Sequence, residues 1–528
     1  MFHVLVSDKL SDEGIQLLEK EDNISVTVNT SLSAEELRSC VSEYDAIIIR
    51  SKTTLTADIL AAAKKMRVVA RAGVGVDNID IDAATRHGII VMNTPGGNSV
   101  STAELAVAHI MSMTRNIPQA YASLKAGNWE KKKFTGCQLT GKKIAVIGLG
   151  RIGQEVVKRL KGLKMSVIAF DPYTSDKRAK ELGVDLASSV LEAATGADYI
   201  TVHTPLSDET RGIIGKEVMN AMADGARIVN CARGGIVDEE ALLESLTSGK
   251  IAGAAFDVFT KEPPEDRRLF NCENFIGTPH LGASTHEAQE NVAKDAAVQV
   301  MDVLLYNNVR FAVNYPELSS NDLQELKPYI TLSEKIGSIQ SQILKGQPKS
   351  LNISYRGNIA EKSIAPLTSA VTFGFLKNDS RGRINYINAK YLAEEHGIRI
   401  IESRDHSYGS FSNLISVTVE TESEIITVDG TVFGGDKYRI VTIGDFPVEA
   451  IPEGILLLTR HEDKPGFVGL LGTELGKLGV NIANMALARH ELGGTAMAVV
   501  NIDGKLPDGF EERFSRLEGL VEATVLNL

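Results

Sequence analysis

The sequence predicts an α/β protein in which parallel sheets are covered by helices. Short apolar runs alternate with helical patterns from residue 1 to about residue 316, as expected of βαβ units. One such unit, residues 143–171, carries a glycine-rich loop followed by an acid. The last segment, residues 453–528, has the order β-α-β-β-α-β of a ferredoxin-like domain. Because 528 residues are too many for one hydrophobic core, several domains are expected.

The first segment contains five strand-like runs and two helical patterns. These are residues 3–6, 25–28, 45–50, 67–73 and 89–93, and residues 33–44 and 56–65. Ser33 and Glu36 have the spacing of a capping box at the start of the first helix. A long helix is predicted next, from a second capping box at Ser101 and Glu104 to about Asn116.

The unit at residues 143–171 predicts a dinucleotide site. Gly148, Gly150 and Gly153 have the G-x-G-x-x-G spacing between an apolar strand and an amphipathic helix. In that motif the glycines make the turn, admit the pyrophosphate and bring the helix close to the strand. Asp171, at the end of the next strand, is placed to bind the adenosine ribose. A carboxylate there repels a 2′-phosphate, so NAD is favoured over NADP.

Four strands follow in the same alternation, at residues 198–205, 226–235, 251–259 and 275–282. A helix from Glu287 to about Leu305 is expected to return to the first domain. We therefore predict a Rossmann-type NAD domain inserted in a flavodoxin-like substrate domain, then an α+β domain and the ferredoxin-like domain. The predicted boundaries are residues 1–98 with 286–316, 99–285, 317–452 and 453–528.

Composition restricts the function classes. A net charge of −12 offers no general electrostatic attraction for nucleic acid or an anionic membrane. Small molecules and further copies of the chain are the expected partners. The cysteines have no metal-ligand spacing, so no metal site is expected; they are Cys40, Cys137, Cys231 and Cys272. With no signal-peptide pattern and no apolar run of membrane-spanning length, a cytoplasmic protein is predicted.

Arg233, Glu262 and His280 are the candidate catalytic residues, because each lies at or just after a predicted strand end. Oxidation of an alcohol needs a base for the hydroxyl proton, and imidazole suits that role at neutral pH. A carboxylate beside it fixes the tautomer, while a guanidinium binds a substrate carboxylate in two places. Taken singly, each residue also fits a structural role in a turn or loop.

Several long strings in the sequence are specific enough to indicate a family. They are RAGVGVDNID, NTPGGNSVSTAE, GLGRIG, HTPLSDETRG, NCARGGIVDE, AAFDVF with KEPP, and TPHLGAST. In these strings the sequence resembles the D-isomer-specific 2-hydroxyacid dehydrogenases. This resemblance implies that His280 is the general base, Glu262 its carboxylate partner and Arg233 the residue that orients the substrate. It also implies NAD contacts at Gly148, Gly150, Arg151, Ile152, Gly153, Asp171, Thr204, Cys231, Asp257 and Gly282. Cys231 is then expected to line the pocket rather than to act as a nucleophile.

The resemblance further implies NAD-dependent oxidation of 3-phospho-D-glycerate to 3-phosphohydroxypyruvate, the first step of serine synthesis. The expected substrate-binding residues are Arg50, Arg71, Gly73, Gly75, Asn98 and Lys132. Similar enzymes carry a hydroxyl residue where this chain has Val74, so only the backbone is expected to act there. Two alternatives stay open: a hydroxypyruvate or glyoxylate reductase, which needs no phosphate site, and an NAD-sensing interaction protein.

The last segment resembles an ACT domain, and residues 317–452 resemble the domain that precedes it in such dehydrogenases. His461, Asp463 and Asn481 lie where ACT domains hold an amino-acid effector across a domain pair, which implies L-serine as effector and a homodimer or homotetramer. A dimerisation module without ligand is the alternative. An apolar stripe is predicted as core; it comprises Phe467, Leu470, Leu471, Leu475 and Leu478. A basic stretch is a weaker anion-site candidate; it comprises Lys377, Arg381, Arg383, Lys390 and Arg399.

Overall fold

Four sheets organise the chain in a computed structural model that describes residues 1–315, 320–378, 383–407, 409–507 and 509–528. The first two sheets are parallel, the third is mixed and the fourth is antiparallel. The predicted α/β class is therefore confirmed. In the part of the chain that is described, no helix is both long and apolar enough to cross a membrane. The predicted boundary at residue 316 falls outside the described residues, and Arg381 of the basic stretch does too.

The first sheet has five strands in the order β2-β1-β3-β4-β5. Its strands are β1 (Phe2–Val6), β2 (Ile24–Val28), β3 (Ala46–Ile49), β4 (Val68–Arg71) and β5 (Ile90–Asn93). Its helices are α1 (Asp12–Glu19), α2 (Ala34–Cys40), α3 (Ala57–Ala62) and α4 (Ile81–Arg86), with a 3₁₀ turn at Val41–Glu43. The capping box of Ser33 and Glu36 is confirmed. The five predicted strands are present, whereas α1 and α4 were not predicted.

Helix α5 (Ser99–Thr114) links the first sheet to the second, and α6 (Ile117–Lys125) follows it. The predicted capping box at Ser101 and Glu104 is wrong, because Asn98 is the N-cap and its side chain makes no capping bond. Both side chains are used in tertiary contacts instead: Ser101 donates to the Gly282 carbonyl, and Glu104 pairs with Arg159 at 2.8 Å.

The second sheet has seven strands in the order β12-β11-β10-β9-β6-β7-β8. They are β6 (Lys143–Ile147), β7 (Ser166–Phe170), β8 (Asp185–Leu186), β9 (Tyr199–Val202), β10 (Ala226–Asn230), β11 (Ile251–Phe256) and β12 (Phe275–Gly277). The helices are α7 (Arg151–Gly162), α8 (Asp176–Leu182), α9 (Val190–Ala194), α10 (Lys216–Ala221) and α11 (Glu239–Ser248), with a 3₁₀ turn at Leu269–Asn271. Helix α12 (His286–Tyr306) then packs Val292 and Val300 into the core around β1, so the predicted return is confirmed.

The third sheet has six strands in the order β14-β13-β15-β16-β17-β18. They are β13 (Ser350–Gly357), β14 (Arg399–Asp405), β15 (Asn413–Glu420), β16 (Ile425–Phe433), β17 (Lys437–Ile443) and β18 (Phe446–Ala450). Helices α13 (Ser320–Ile343), α14 (Ala365–Leu376) and α15 (Ala389–Glu395) accompany it, with a 3₁₀ turn at Asn358–Glu361. The basic stretch does not converge on one point: Lys377 pairs with Glu334, Lys390 lies 4.0 Å from Glu402, and Arg383 binds the Met66 carbonyl.

The fourth sheet has the order β20-β21-β19-β22. Its elements are β19 (Ile455–Glu462), α16 (Phe467–Lys477), β20 (Asn481–Arg489), β21 (Thr495–Asp503), α17 (Phe510–Phe514) and β22 (Leu520–Asn527). This order is consistent with the predicted ACT-like fold. Phe467, Leu471 and Leu475 are buried as predicted, but Leu470 is 44% exposed and not part of the core. Its position on α16 faces outward because the sheet covers only one side of that helix.

Candidate active site

The glycine loop between β6 and α7 has three glycines with different structural constraints. Gly148 has φ +97°, and a Cβ there would lie 2.7 Å from the His203 carbonyl oxygen. A Cβ on Gly153 would collide with the Gly148 carbonyl oxygen. A Cβ on Gly150 would meet nothing within 4 Å. The fold therefore requires Gly148 and Gly153, whereas Gly150 leaves open space beside the first turn of α7.

Asp171 follows β7 and lies against this loop. Its Oδ2 accepts a hydrogen bond from the Leu149 amide at 2.7 Å, and its Oδ1 accepts one from Tyr173 at 2.8 Å. Across the loop, the Thr204 hydroxyl is buried without a hydrogen-bond partner among the described residues. Such an atom is satisfied when a polar ligand binds. The open space and this hydroxyl fit a dinucleotide phosphate.

Arg151 and Ile152 begin helix α7. The Arg151 guanidinium lies 5.5 Å from the Phe311 ring centroid, and Ile152 packs against the buried core below the sheet. Arg151 thus connects the second sheet to the segment that follows α12.

Asp257, directly after β11, organises the loop that carries His280. The carboxylate is buried and accepts from the amides of Leu281 at 2.7 Å and Gly282 at 2.8 Å. Cys231 lies nearby, and burial, followed by the Asp257 charge, raises the pKa of its thiol well above the ordinary value. A protonated, buried thiol agrees with a lining role.

His280 and Glu262 form a hydrogen-bonded pair, as expected of a histidine and its carboxylate partner. Nδ1 of His280 lies 2.7 Å from Oε2 of Glu262, and the other oxygen accepts from the Phe259 amide at 3.0 Å. Burial raises the pKa of Glu262, but the hydrogen bonds from His280 and Phe259 outweigh it and the pKa is lowered. An ionised carboxylate only accepts, so Nδ1 of His280 donates to Glu262, and Nε2 points away from that hydrogen bond.

Arg71 and Arg233 converge on the glycine-flanked turn after β4. A Cβ on Gly73 would collide with Arg71 Nη1, and one on Gly75 with Arg233 Nη2. The Arg233 Nε lies 3.3 Å from an oxygen of Asp77. Burial, then the charges of Arg233 and Arg50, lower the pKa of Arg71 to about 10. Three guanidinium groups therefore share one region in which an anion is strongly favoured.

The turn itself offers backbone donors. The Gly73 amide is occupied, since it donates to the Arg71 carbonyl at 2.8 Å. Within the described ranges, no group accepts from the amides of Val74 or Gly75. Asn93 holds the turn by donating to the Val74 carbonyl at 2.6 Å.

The remaining substrate candidates separate into two groups. Arg50 lies with the cluster: its guanidinium donates to the Lys9 carbonyl at 3.2 Å, and its charge acts on Arg71. In the part of the chain that the structure describes, the buried Oδ1 of Asn98 has no hydrogen-bond partner. Lys132 lies in the exposed segment between α6 and β6, and no contact among the described residues joins its side chain to the arginines.

Of the effector candidates, His461 and Asp463 are neighbours, whereas Asn481 lies at the other end of the sheet. Asp463 accepts from the Gly493 amide at 3.1 Å and from Arg489 at 3.2 Å, which together lower its pKa. Asn481 instead donates to Asp503 at 2.7 Å, at the Ile455 end of β19. His461 is near the other end of that strand, and six strand residues span about 20 Å. His461 and Asn481 therefore lie at opposite ends of one sheet.

The ring of His461 is stacked on Phe467 with 3.8 Å between ring centroids, and its buried Nδ1 has no hydrogen-bond partner within the described ranges. Burial lowers the pKa of His461 although Asp463 opposes the shift.

Sequence reasoning missed three side chains at the site. Asp77 and Thr278 lie inside the quoted strings RAGVGVDNID and TPHLGAST, which was a signal that could have found them. His109 lies on α5 in no such string, yet its Nε2 is 3.0 Å from the Thr278 hydroxyl.

Comparison with known proteins agrees with this geometry. Residues 107–282 match the family model of the D-isomer specific 2-hydroxyacid dehydrogenase NAD binding domain, and residues 325–444 match that of the D-3-phosphoglycerate dehydrogenase intervening domain. The chain is 40% identical over 528 residues to D-3-phosphoglycerate dehydrogenase of Methanocaldococcus jannaschii, with 100% of both chains covered. The D-3-phosphoglycerate dehydrogenase of Bacillus subtilis gives the same values of 40% and 100%.

Solved structures resemble a little over half of the chain. The TT0316 protein of Thermus thermophilus is 31% identical with a TM-score of 0.54, and the match covers 59% of this chain and 99% of that one. A 3-phosphoglycerate dehydrogenase of Entamoeba histolytica, solved with NAD+ bound, is 27% identical with a TM-score of 0.52, covering 60% and 99%.

Proposed function

The chain belongs to the D-3-phosphoglycerate dehydrogenase family of D-isomer-specific 2-hydroxyacid dehydrogenases, and on that premise we propose that it oxidises 3-phospho-D-glycerate to 3-phosphohydroxypyruvate with NAD. One observation carries the proposal. Arg233 lies near both groups: after the hydrogen bonds from His280 and Phe259 its charge helps to lower the pKa of Glu262, and after burial it helps to lower the pKa of Arg71. The pair of His280 and Glu262 and the arginine cluster therefore belong to one site. An alcohol that is oxidised beside several cationic groups is an anionic hydroxyacid. The reaction is the first step of serine synthesis.

The base is His280. Its Nδ1 proton is held by Glu262, so Nε2 is free to accept the proton of the substrate hydroxyl. As the imidazole becomes charged, the carboxylate 2.7 Å away stabilises it. Glu262 keeps its negative charge throughout and fixes the ring orientation.

The substrate is held by its two anionic ends. Arg233 binds the carboxylate and the developing carbonyl with its planar fork, and the Val74 and Gly75 amides donate to the same carboxylate. Arg50 and Arg71 bind the phosphate. A reductase of plain hydroxyacids has no need for this second pair of cations, so the phosphorylated substrate is favoured over the reductase alternative.

The residues around the glycine loop fit NAD, because Gly150 leaves space for a pyrophosphate and Thr204 has an unsatisfied hydroxyl. Asp171 would bind the ribose, and Arg151 and Ile152, at the start of α7, would flank the phosphates. Gly282, Asp257 and Cys231 would line the nicotinamide end. Bound NAD supplies the hydride acceptor.

Regulation, assembly and location are part of the proposal. L-serine would bind between two ACT-like domains, because His461 and Asn481 lie at opposite ends of one sheet. That geometry supports a homodimer or homotetramer. The four cysteines are free thiols, which supports a cytoplasmic protein. The domain boundaries stay predictions.

The test is NADH formation with 3-phospho-D-glycerate, compared with D-glycerate and D-lactate, each with and without L-serine. We expect turnover confined to the phosphorylated acid, with His280→Ala as the inactive control. Turnover on the plain acids instead would support the reductase alternative. Binding of NAD without turnover on any acid would support an NAD-sensing protein.

A further inference from the structure

Three hydrogen bonds join helix α5 to the loop that carries His280. The hydroxyls of Ser101 and Thr102 both donate to the Gly282 carbonyl, the latter at 3.0 Å. Further along the same helix, His109 Nε2 lies 3.0 Å from the Thr278 hydroxyl. His109 is only 4% exposed and has no place in the binding or chemical steps described above.

The direction of each hydrogen bond near His109 is determined by its partners. Asp257 accepts from the Thr278 hydroxyl at 2.6 Å, and because that hydroxyl has a single proton, it can only accept from His109. His109 therefore donates from Nε2. Burial lowers the pKa of His109, although Asp257 opposes the shift, so the neutral ring with its proton on Nε2 is the form that fits. The order is His109 to Thr278 to Asp257.

The loop needs such support because its backbone is strained at His280 itself. His280 has φ 54°, a left-handed conformation that is unfavourable for a residue with a side chain. Its amide donates to the carbonyls of Asp257 at 2.9 Å and Thr278 at 3.0 Å. The side chains of Thr278 and Asp257 are also the two that His109 reaches through hydrogen bonds. A shift of Asp257 or Thr278 would therefore change the backbone conformation at His280 and with it the orientation of the imidazole.

We propose that His109, acting through Thr278 and Asp257, is a positioning residue that holds the His280 loop in the geometry for proton transfer. The inference rests on the proposed function, since it assigns His280 as the base. His109 does not touch the substrate; it makes the orientation of the base depend on helix α5, which packs against β10 and β11 of the second sheet.

The experiment compares paired variants in the full chain. His109→Phe removes the donor and keeps a ring of similar size, whereas His109→Gln keeps a donor at similar reach. Thr278→Val removes the hydroxyl, whereas Thr278→Ser retains it. Thr114→Val is the matched control, because it removes a buried hydroxyl from the same helix whose partners are Ile110 and Tyr199. For each we measure kcat, the KM of both substrates, the Kd of NADH, the melting temperature and the isotope effect with substrate deuterated at C2.

We expect His109→Phe and Thr278→Val to lower kcat about tenfold, as loss of one buried hydrogen bond allows, and to enlarge the isotope effect. The Kd of NADH should change by less than about twofold. His109→Gln and Thr278→Ser should keep most of the turnover and the wild-type isotope effect. Thr114→Val should lower the melting temperature alone.

An unchanged kcat and isotope effect in His109→Phe would overturn the inference, and so would equal losses in the Phe and Gln variants. If His109→Phe does not fold, the Thr278 pair decides in the same way. Should the wild-type protein oxidise another 2-hydroxyacid but not 3-phospho-D-glycerate, the proposed function fails and the same comparison on that acid still decides. A wild-type protein without turnover on any 2-hydroxyacid would overturn both.

Discussion

Replacing single glycines in the nucleotide loop separates cofactor binding from folding. Gly150 has φ −63° and ψ −167°, which alanine also adopts, and its Cβ would meet no protein atom within 4 Å. Gly150→Ala is therefore expected to fold. The added methyl group would instead occupy the space that the pyrophosphate needs when it approaches the backbone.

The two glycines differ in which free energy they change. For Gly150→Ala we expect NADH affinity to fall at least about 100-fold, or about 2.7 kcal/mol, while stability falls by no more than about 1 kcal/mol, because alanine is a poor N-cap. Gly153→Ala should destabilise the protein by about 1–3 kcal/mol or more, because its Cβ would overlap the Gly148 carbonyl oxygen.

The assay is a titration of NADH by fluorescence, with urea unfolding measured on the same preparations. Gly162→Ala is the control, since it lies at the end of α7 with open space around it and should keep both affinity and stability. An unchanged Kd for NADH in Gly150→Ala would refute the assignment of this loop as the pyrophosphate site. Equal stability of Gly153→Ala and wild type would refute the packing argument.

Three further predictions concern the chemical end of the site. His280→Ala should lower kcat about 10²- to 10⁴-fold with little change in NADH affinity, because it removes the base and leaves the cofactor site intact; near-normal turnover of the variant contradicts this. Because the folded-state pKa of Glu262 is lowered, its charge stabilises the fold above the unfolded pKa, and this is lost as pH falls through the folded pKa. The difference in unfolding free energy between wild type and Glu262→Gln should therefore be full at neutral pH and vanish in acid; a difference independent of pH argues against it. Arg50→Ala should weaken the preference for 3-phospho-D-glycerate over D-glycerate in kcat/KM, while Lys52→Ala, which removes a nearby lysine bound to a backbone carbonyl, should not; equal effects would remove Arg50 from the phosphate site.

Most of the helices and strands were predictable because their signals are local. The apolar runs that became β1, β6, β9 and β11 are each shorter than one helix would need, and glycine or polar residues bound them. The capping box at Ser33 was found for the same reason, since both of its partners lie within three residues. The second capping box had the same local spacing and was wrong, because Ser101 and Glu104 found partners on other elements.

In the candidate sites, too, features with a signal in the sequence were predictable, whereas features that depend on packing or strand register were not. The pair of His280 and Glu262 was predicted from long strings, and the two side chains lie 2.7 Å apart. The outward position of Leu470 depends on which face of α16 the sheet leaves uncovered. The separation of Asn481 from His461 depends on strand register, which a run of residues does not reveal.

The sequence by itself determined the class of fold, the nucleotide loop and the residue types that carry the chemistry, because periodicity, glycine spacing and motif strings act over a few residues. Only the tertiary structure decided which distant side chains support them. His109 and Thr278 are 169 residues apart, and Arg71 and Arg233 meet at Gly73 and Gly75 from different sheets. Such pairs form when packing brings elements together, and the free energy of each contact depends on burial that local sequence does not encode.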